Sequence, residues 1–252
     1  MIGAMGKKDQ QDSMNINHYK KQIRSKFDKT GLPFVTLKYA QTLDGKIATR
    51  AGDSTWISSL PSRHLAHLLR SVHQAILVGA NTIIQDNPQL TVRLVKGKNP
   101  LRIVADARLR SPLEAKVFTQ RSGPKTILAT TSGANKKKIR QFERKGVEIL
   151  ILKKNRAGQI DLKDLLQKLG EKNIRSLLVE GGSEIITSFL GQNLIDRMIV
   201  VVAPLIMGKG LSTVRKLRTT KAKELVSFSS LRIYESGKDL ILDGLIRKQS
   251  TE

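Results

Sequence analysis

The sequence predicts an α/β protein: a mostly parallel central sheet with helices on both faces, ending in an antiparallel C-terminal edge hairpin. Three observations predict it. Short apolar strands alternate with helical patterns from residue 75 to residue 203, the signature of βαβ units. Two of those strands run straight into glycine-bearing turns that open helices, at Gly79-Ala80-Asn81-Thr82 and at Glu180-Gly181-Gly182-Ser183. Near the C-terminus, two strand-like stretches, 223–235 and 239–246, are separated only by Ser236-Gly237-Lys238.

Composition narrows the function classes. Among 252 residues, 39% are hydrophobic, enough to supply a core. There is no cysteine, so disulfides and cysteine-ligated metal sites are excluded. No long uncharged apolar stretch occurs and residues 1–29 are too polar for a signal peptide, so a soluble cytoplasmic protein without a membrane role is expected. The formal charge of +24 draws polyanions or small polyphosphates. With only 4% aromatic residues and no zinc-finger, helix-turn-helix or RNA-binding signature, specific nucleic-acid recognition is not the expected role.

In chain order, residues 1–31 read as a polar N-terminal extension, with a helix over 16–27 stopped by Gly31 and Pro33; the domain proper is expected over 32–252. Residues 33–39 form a buried strand, and an Asp44-Gly45 turn leads to a short strand at 46–49. The polar loop 51–59 carries Ser54 and Trp56, a ring that suits either the core or a ligand platform. Leu60-Pro61 opens a helix bearing Leu65, Leu68, Leu69 and Val72 on one face, with Arg63, His67 and Arg70 elsewhere. His64, His67 and His73 lack further ligands at useful spacing, so they are expected at the surface or capping the helix, with no metal site.

A strand at 75–78 precedes the first glycine junction. The segment from Asp86 to Arg93 then sets a rigid Asn87-Pro88 turn between an acid and a base; Arg93 there serves a phosphate or a surface ion pair equally. Strands follow at 101–105, 126–130 and 147–152, with helices at 135–145 and 162–169. The first of these helices is crowded with Lys136, Lys137, Lys138, Arg140, Arg144 and Lys145, which reads as a solvated basic face. Residues 176–179 make a buried strand ending in Glu180, where α/β proteins put ligand-contacting groups. Two glycines and a helix N-terminus come next, a place for a phosphate or pyrophosphate, or else plain turn punctuation. A strand at 197–203, a loop at 205–210 and the terminal hairpin complete the chain.

Taken together, Lys38 to Lys46, Trp56-Ile57, Leu68-Leu69-Arg70, Gly79 to Thr82, Asp86 to Arg93, Val179 to Ser183 and Pro204 to Gly210 resemble, in order and spacing, the reductase domain of riboflavin-biosynthesis deaminase-reductases in its stand-alone form. The resemblance implies a dihydrofolate-reductase-like fold, NADPH as hydride donor, and a 5-amino-6-ribosylaminopyrimidine 5′-phosphate whose ribosyl group is reduced to ribityl. Alternatives are a reductase of another pterin-like or pyrimidine substrate, or a polyanion-binding protein on this scaffold. The His-x-Glu and Pro-Cys-x-x-Cys motifs of the family's zinc deaminase half do not occur. By motif position, the resemblance implies that Ser54, Arg70, Leu90, Arg93 and Glu180 contact the substrate. It likewise implies that Ala40, Trp56, Thr82 and Asp86 hold NADPH, with the turn and helix start Gly182, Ser183, Glu184, Ile185, Ile186, Thr187 and Ser188. Lys38, Asp86 and Glu180 are the candidate catalytic groups. The residue after Asp106 is Ala107, where the family pattern often has a serine. A homodimer is expected.

Overall fold

The computed structural model describes residues 15–55, 57–120, 123–215, 217 and 225–247. Among them, nine strands form one sheet in the order β10-β11-β8-β1-β7-β3-β4-β5-β6, with β1 Phe34–Thr42, β3 Ala75–Gly79, β4 Leu101–Ala105, β5 Thr126–Thr131, β6 Glu148–Leu152, β7 Ser176–Glu180, β8 Arg197–Ala203, β10 Phe228–Ser236 and β11 Asp239–Ile246. The seven strands from β8 to β6 are parallel, and β11 and β10 continue the sheet antiparallel, as the sequence predicts. Gly237 turns the edge hairpin with φ 65°. The expected strand 223–235 begins outside the described residues at its first positions and is observed from Phe228.

Alternation along each strand splits the core into two layers. Ala75 and Leu77 face one side of β3, whereas Ile76 and Val78 face the other. On the first side lie α6 (Leu162–Glu171) and α7 (Ser183–Gly191); on the second lie α2 (Leu60–Val72), α3 (Ala80–Asp86) and α5 (Lys136–Arg144). Neighbouring strands β7 and β3 therefore send their following helices to opposite faces. Such a divergence opens a crevice at the carboxyl ends of the strands, and it is where the functional groups gather.

Residues 16–30 correct the reading of an N-terminal appendage. They form α1 (Ile16–Thr30), started by the Asn15 side chain accepting from the His18 N–H and ended by Gly31 in the left-handed region. Tyr19 is fully buried and meets Phe34 edge-to-face at 5.7 Å. Lys26 pairs with Asp196, whose carboxylate also accepts the Val35 N–H at 2.8 Å. Most side chains of this helix are charged or polar, and they hid a narrow apolar stripe, Tyr19 and Ile23, which is enough to dock it.

The short strand expected at 46–49 is observed as β2 (Lys46–Thr49), and it pairs antiparallel with β9 (Gly210–Ser212), a strand that begins at the last residue of the expected loop 205–210. The Asp44 carboxylate holds that arrangement, accepting the Met207 and Gly208 N–H groups at 3.1 and 2.7 Å. These bonds keep the acid low, at about 2, with the Thr42 hydroxyl contributing most.

One packing feature reverses an ordinary rule. Gly170 lies within α6, where alanine normally stabilises by about 1 kcal/mol. A Cβ here would sit 2.1 Å from the Gly31 carbonyl oxygen. Gly170→Ala is therefore expected to destabilise the protein by about 1–3 kcal/mol in urea unfolding, because backbone rather than a movable side chain must yield.

Candidate active site

The centre of the site is built by strand register. Lys38 on β1 is the direct neighbour of Glu180, the last residue of β7. Arg70, on the last turn of α2, clamps that carboxylate with two parallel bonds, Nε to Oε1 at 3.1 Å and Nη2 to Oε2 at 2.7 Å. Its Nη1 donates to the Thr91 carbonyl at 3.3 Å. Two cations thus share one acid in a poorly hydrated place, the Arg70 and Glu180 side chains being 14% and 13% exposed. Burial works to raise the Glu180 carboxyl, but Arg70, Lys38 and His67 outweigh it and hold the group below the usual carboxylate range. Burial pushes the Lys38 ammonium below the ordinary lysine range; Glu180 opposes that shift and Arg70 adds to it.

Around this centre is a cleft of about 810 Å³, at the upper end of small-ligand sites. It gathers most of the expected residues. Lys38, Ala40, Ser54, Arg70, Thr82 and Asp86 line it, as do Leu90 and Glu180. Gly182, Ser183, Glu184, Ile185 and Ser188 line the wall made by the start of α7. Partial enclosure in the cleft raises the Asp86 carboxyl. Leu90 is buried with φ 55°, an uncommon conformation for leucine, beside the site. Glu184 accepts from Asn81 Nδ2 at 3.2 Å and faces Arg215 at 3.6 Å.

Three expected residues do not line the cleft. Ile186 is fully buried in the core layer beneath α7, because it falls on the inward side of that helix. The Thr187 hydroxyl accepts the Arg215 N–H at 3.0 Å. Arg93 is exposed, and its guanidinium donates to Thr91 Oγ1 and Gln89 Oε1 at 2.7 and 3.2 Å. Trp56 lies outside the described residues. Sequence reasoning missed Arg108 and Arg110, which also line the cleft; the only signal was two bases following a strand end.

Of the three histidines, His64 at the surface and His73 capping α2 are as expected, and His67 departs from expectation. His64 is exposed, but His67 and His73 are buried and partnered. His67 Nδ1 accepts the Arg93 N–H at 2.9 Å, and His73 caps α2 while bonding the Leu69 carbonyl, the Tyr19 hydroxyl and Thr36. No group of three metal-ligating side chains occurs among the described residues. Desolvation, helped at His67 by Arg70 and Arg93, pushes both imidazoles down to about 4. The folded state thus binds fewer protons than the unfolded chain, whose histidines titrate near 6.5. Stability is complete above that pH and declines as pH falls towards about 4, by up to ~1.4 kcal/mol per pH unit for each histidine. Melting temperatures between pH 7 and pH 5 should show this decline, and His73→Gln should make it shallower, leaving the share of His67.

Gly182 has φ −78° and ψ 173°, open to any residue, and a Cβ there would meet nothing within 4 Å. At Gly181 the nearest atom would be Thr82 Oγ1 at 3.7 Å. The chain itself has no need of glycine at these two positions, contrary to the expectation of a sharp turn. What they leave free is space in the cleft, beside a helix N-terminus that no side chain caps.

Comparisons with known proteins agree with this fold. The sequence matches the family model described as the RibD C-terminal domain over residues 33–242. The chain belongs to that family. It is 43% identical over 211 residues to the riboflavin biosynthesis protein RibD of Aquifex aeolicus, covering 83% of this chain and 57% of that one. With RibD of Actinobacillus pleuropneumoniae it shares 42% identity over 180 residues, covering 71% and 47%. The chain therefore spans about half the length of the curated RibD relatives it matches. Among solved structures, Acinetobacter baumannii RibD superposes with a TM-score of 0.77 at 28% identity, covering 90% of this chain and 62% of that one. The riboflavin biosynthesis reductase Rib7 of Saccharomyces cerevisiae gives a TM-score of 0.65 at 26% identity, covering 86% and 91%.

Proposed function

We propose that this chain is the NADPH-dependent reductase of riboflavin biosynthesis, reducing the ribosyl group of a 5-amino-6-ribosylaminopyrimidine 5′-phosphate to ribityl. The observation that carries the reading is the Lys38–Glu180–Arg70 cluster set beside an unfilled glycine turn in one cleft. It is supported by membership of the family, and by the name of the yeast relative, a riboflavin biosynthesis reductase of which this chain covers 91%.

The residues fit the cofactor. Gly181, Gly182 and the uncapped start of α7 suit its pyrophosphate, with Ala40, Thr82 and Asp86 along the same cleft. When bound, NADPH supplies a hydride to the open-chain C1 of the ribosyl group. The chain supplies the accompanying proton. Lys38 is the donor, since an ammonium held below its ordinary range releases a proton to the substrate nitrogen more readily, and solvent restores it. Glu180 keeps Lys38 charged and accepts from substrate hydroxyls, while Arg70 holds the carboxylate in place. Ser54 and Leu90 bound the substrate. Its 5′-phosphate is drawn by Arg70 and extends from the cleft towards Arg93, which lies outside the lining but near enough to Arg70 for its own pKa to be lowered, by burial first and by that charge second.

The cytoplasm, which supplies NADPH, is the compartment this reading requires, and a homodimer is part of it. Support for a second copy is the sheet edge at β10, where Leu231 and Ile233 are exposed. No helix among the described residues is long and apolar enough to cross a membrane. The test is the loss of NADPH absorbance with the deaminated and the diamino ribosylaminopyrimidine phosphates, with dihydrofolate in parallel. Oxidation with one of the ribosyl substrates and not with dihydrofolate is expected. NADPH binding without oxidation of either would overturn the substrate assignment.

A further inference from the structure

One wall of the cleft is held from the far edge of the sheet. Ser54, Thr55, Ile57 and Ser58 form that wall. The hydrogen bonds of Gly52, Asp53 and Thr55 end at Thr49 or Asp53, so this end of the segment closes on its own turn. The other end is tied at Ser59. Its N–H donates to Asp239 Oδ2 at 2.7 Å across 180 positions of sequence, and its hydroxyl donates to the same oxygen at 2.8 Å. Asp239 opens β11 and is 1% exposed. The hairpin turn before it packs against the same place: a Cβ on Gly237 would lie 3.0 Å from Pro61 Cγ and 3.1 Å from Ser59 Oγ. The edge hairpin therefore reaches the start of α2.

Ser59 stands at the N-cap of α2, yet its side chain caps nothing. A serine there ordinarily turns its hydroxyl to the free N–H groups of the first helical turn. Here the hydroxyl is turned to Asp239, and the carboxylate itself lies at the positive end of the helix. Both bonds fall on one oxygen, while Oδ1 is buried with no hydrogen bond among the described residues. A dry carboxylate with one oxygen unbonded costs more than a neutral packing group would, and its two bonds to a single residue give it a task. They fix where the wall ends and the helix begins. The chemistry feels the group as well. Burial acts most on Lys38, then Glu180 and Arg70, and Asp239 adds the smallest influence, favouring the ammonium.

We propose that Asp239 is a positioning residue of the active site, which through Ser59 holds the wall 54–58 against the ribosyl substrate. The kinetic half of its test rests on the reductase reading above; the other half does not. Trp56 is the only tryptophan and falls within the wall segment, so acrylamide quenching of its emission reports on that segment without turnover. Asp239→Ala should raise KM for the ribosylaminopyrimidine phosphate about tenfold at saturating NADPH and leave kcat within about threefold, since the Arg70–Glu180 clamp keeps its own bonds. Quenching in the folded variant should rise about twofold. Asp239→Asn can put its amide oxygen at the Oδ2 position and its nitrogen at the unbonded one, and should return both readouts to within about twofold of the parent. Ser59→Ala removes the hydroxyl bond alone and should raise KM about threefold; it decides the matter if Asp239→Ala does not fold. An unchanged KM or unchanged quenching in Asp239→Ala overturns the proposal, and a lowered melting temperature alone would leave Asp239 a structural role. Asp239→Asn as impaired as Asp239→Ala overturns it too, by assigning the effect to charge. A parent that oxidises NADPH with neither ribosyl substrate defeats the reductase reading, and the quenching series then decides the anchor by itself.

Discussion

Glu180→Gln is expected to lower kcat/KM by about 10²–10³-fold while the protein remains folded. The substitution keeps the shape and removes the one negative charge that Lys38 and Arg70 share. Arg70 then loses two charge-assisted bonds, and Lys38 loses the group that sustains its proton. Because Glu180 raises the Lys38 pKa, its removal lowers it. The basic limb of the pH–rate profile, where Lys38 gives up its proton, should therefore move to lower pH. A purely structural role for Glu180 would reduce activity equally at every pH and leave that limb where it was. The stability cost has an upper bound of about 3–5 kcal/mol for breaking a buried pair. The cleft admits water to one side of this one, so denaturant titration should report less.

Tyr19→Ala should be the most destabilising single change in the N-terminal helix, by about 3–5 kcal/mol. The ring is wholly buried, stands edge-on to Phe34 and lies under the Arg197 guanidinium at 4.6 Å. Its hydroxyl bonds Thr36 and His73 Nε2. Tyr19→Phe keeps the ring and removes only the hydroxyl, leaving buried polar partners one bond short, and should cost about 1–3 kcal/mol. Urea unfolding of the two variants separates ring from hydroxyl. If both left the midpoint unchanged, α1 would not be part of the cooperative unit.

The helix also marks where sequence reading stops. Short apolar strand runs, the Leu60-Pro61 helix start, the glycine-bearing turns and the Ser236-Gly237-Lys238 turn are local signals, decided by neighbours within a few positions. From them the alternation of elements and the antiparallel edge could be read directly, and Glu180 with its following glycines could be located. The motifs further pointed to Arg70, Lys38 and Asp86. All of these line the observed cleft.

What could not be read were pairings between residues distant in the chain. Lys38 and Glu180 become neighbours only because β7 inserts between β1 and β3, and the Arg70 clamp spans 110 positions. Two buried residues on a mostly polar helix, the union of β2 with β9, and the burial of His67 and His73 likewise depend on surfaces supplied by remote segments. Composition and local pattern determined the fold class and the kinds of chemistry available. Which groups share a charge, which side of α7 meets the core and which arginines face the cleft were decided by tertiary structure, because burial and Coulomb interaction depend on distance in space.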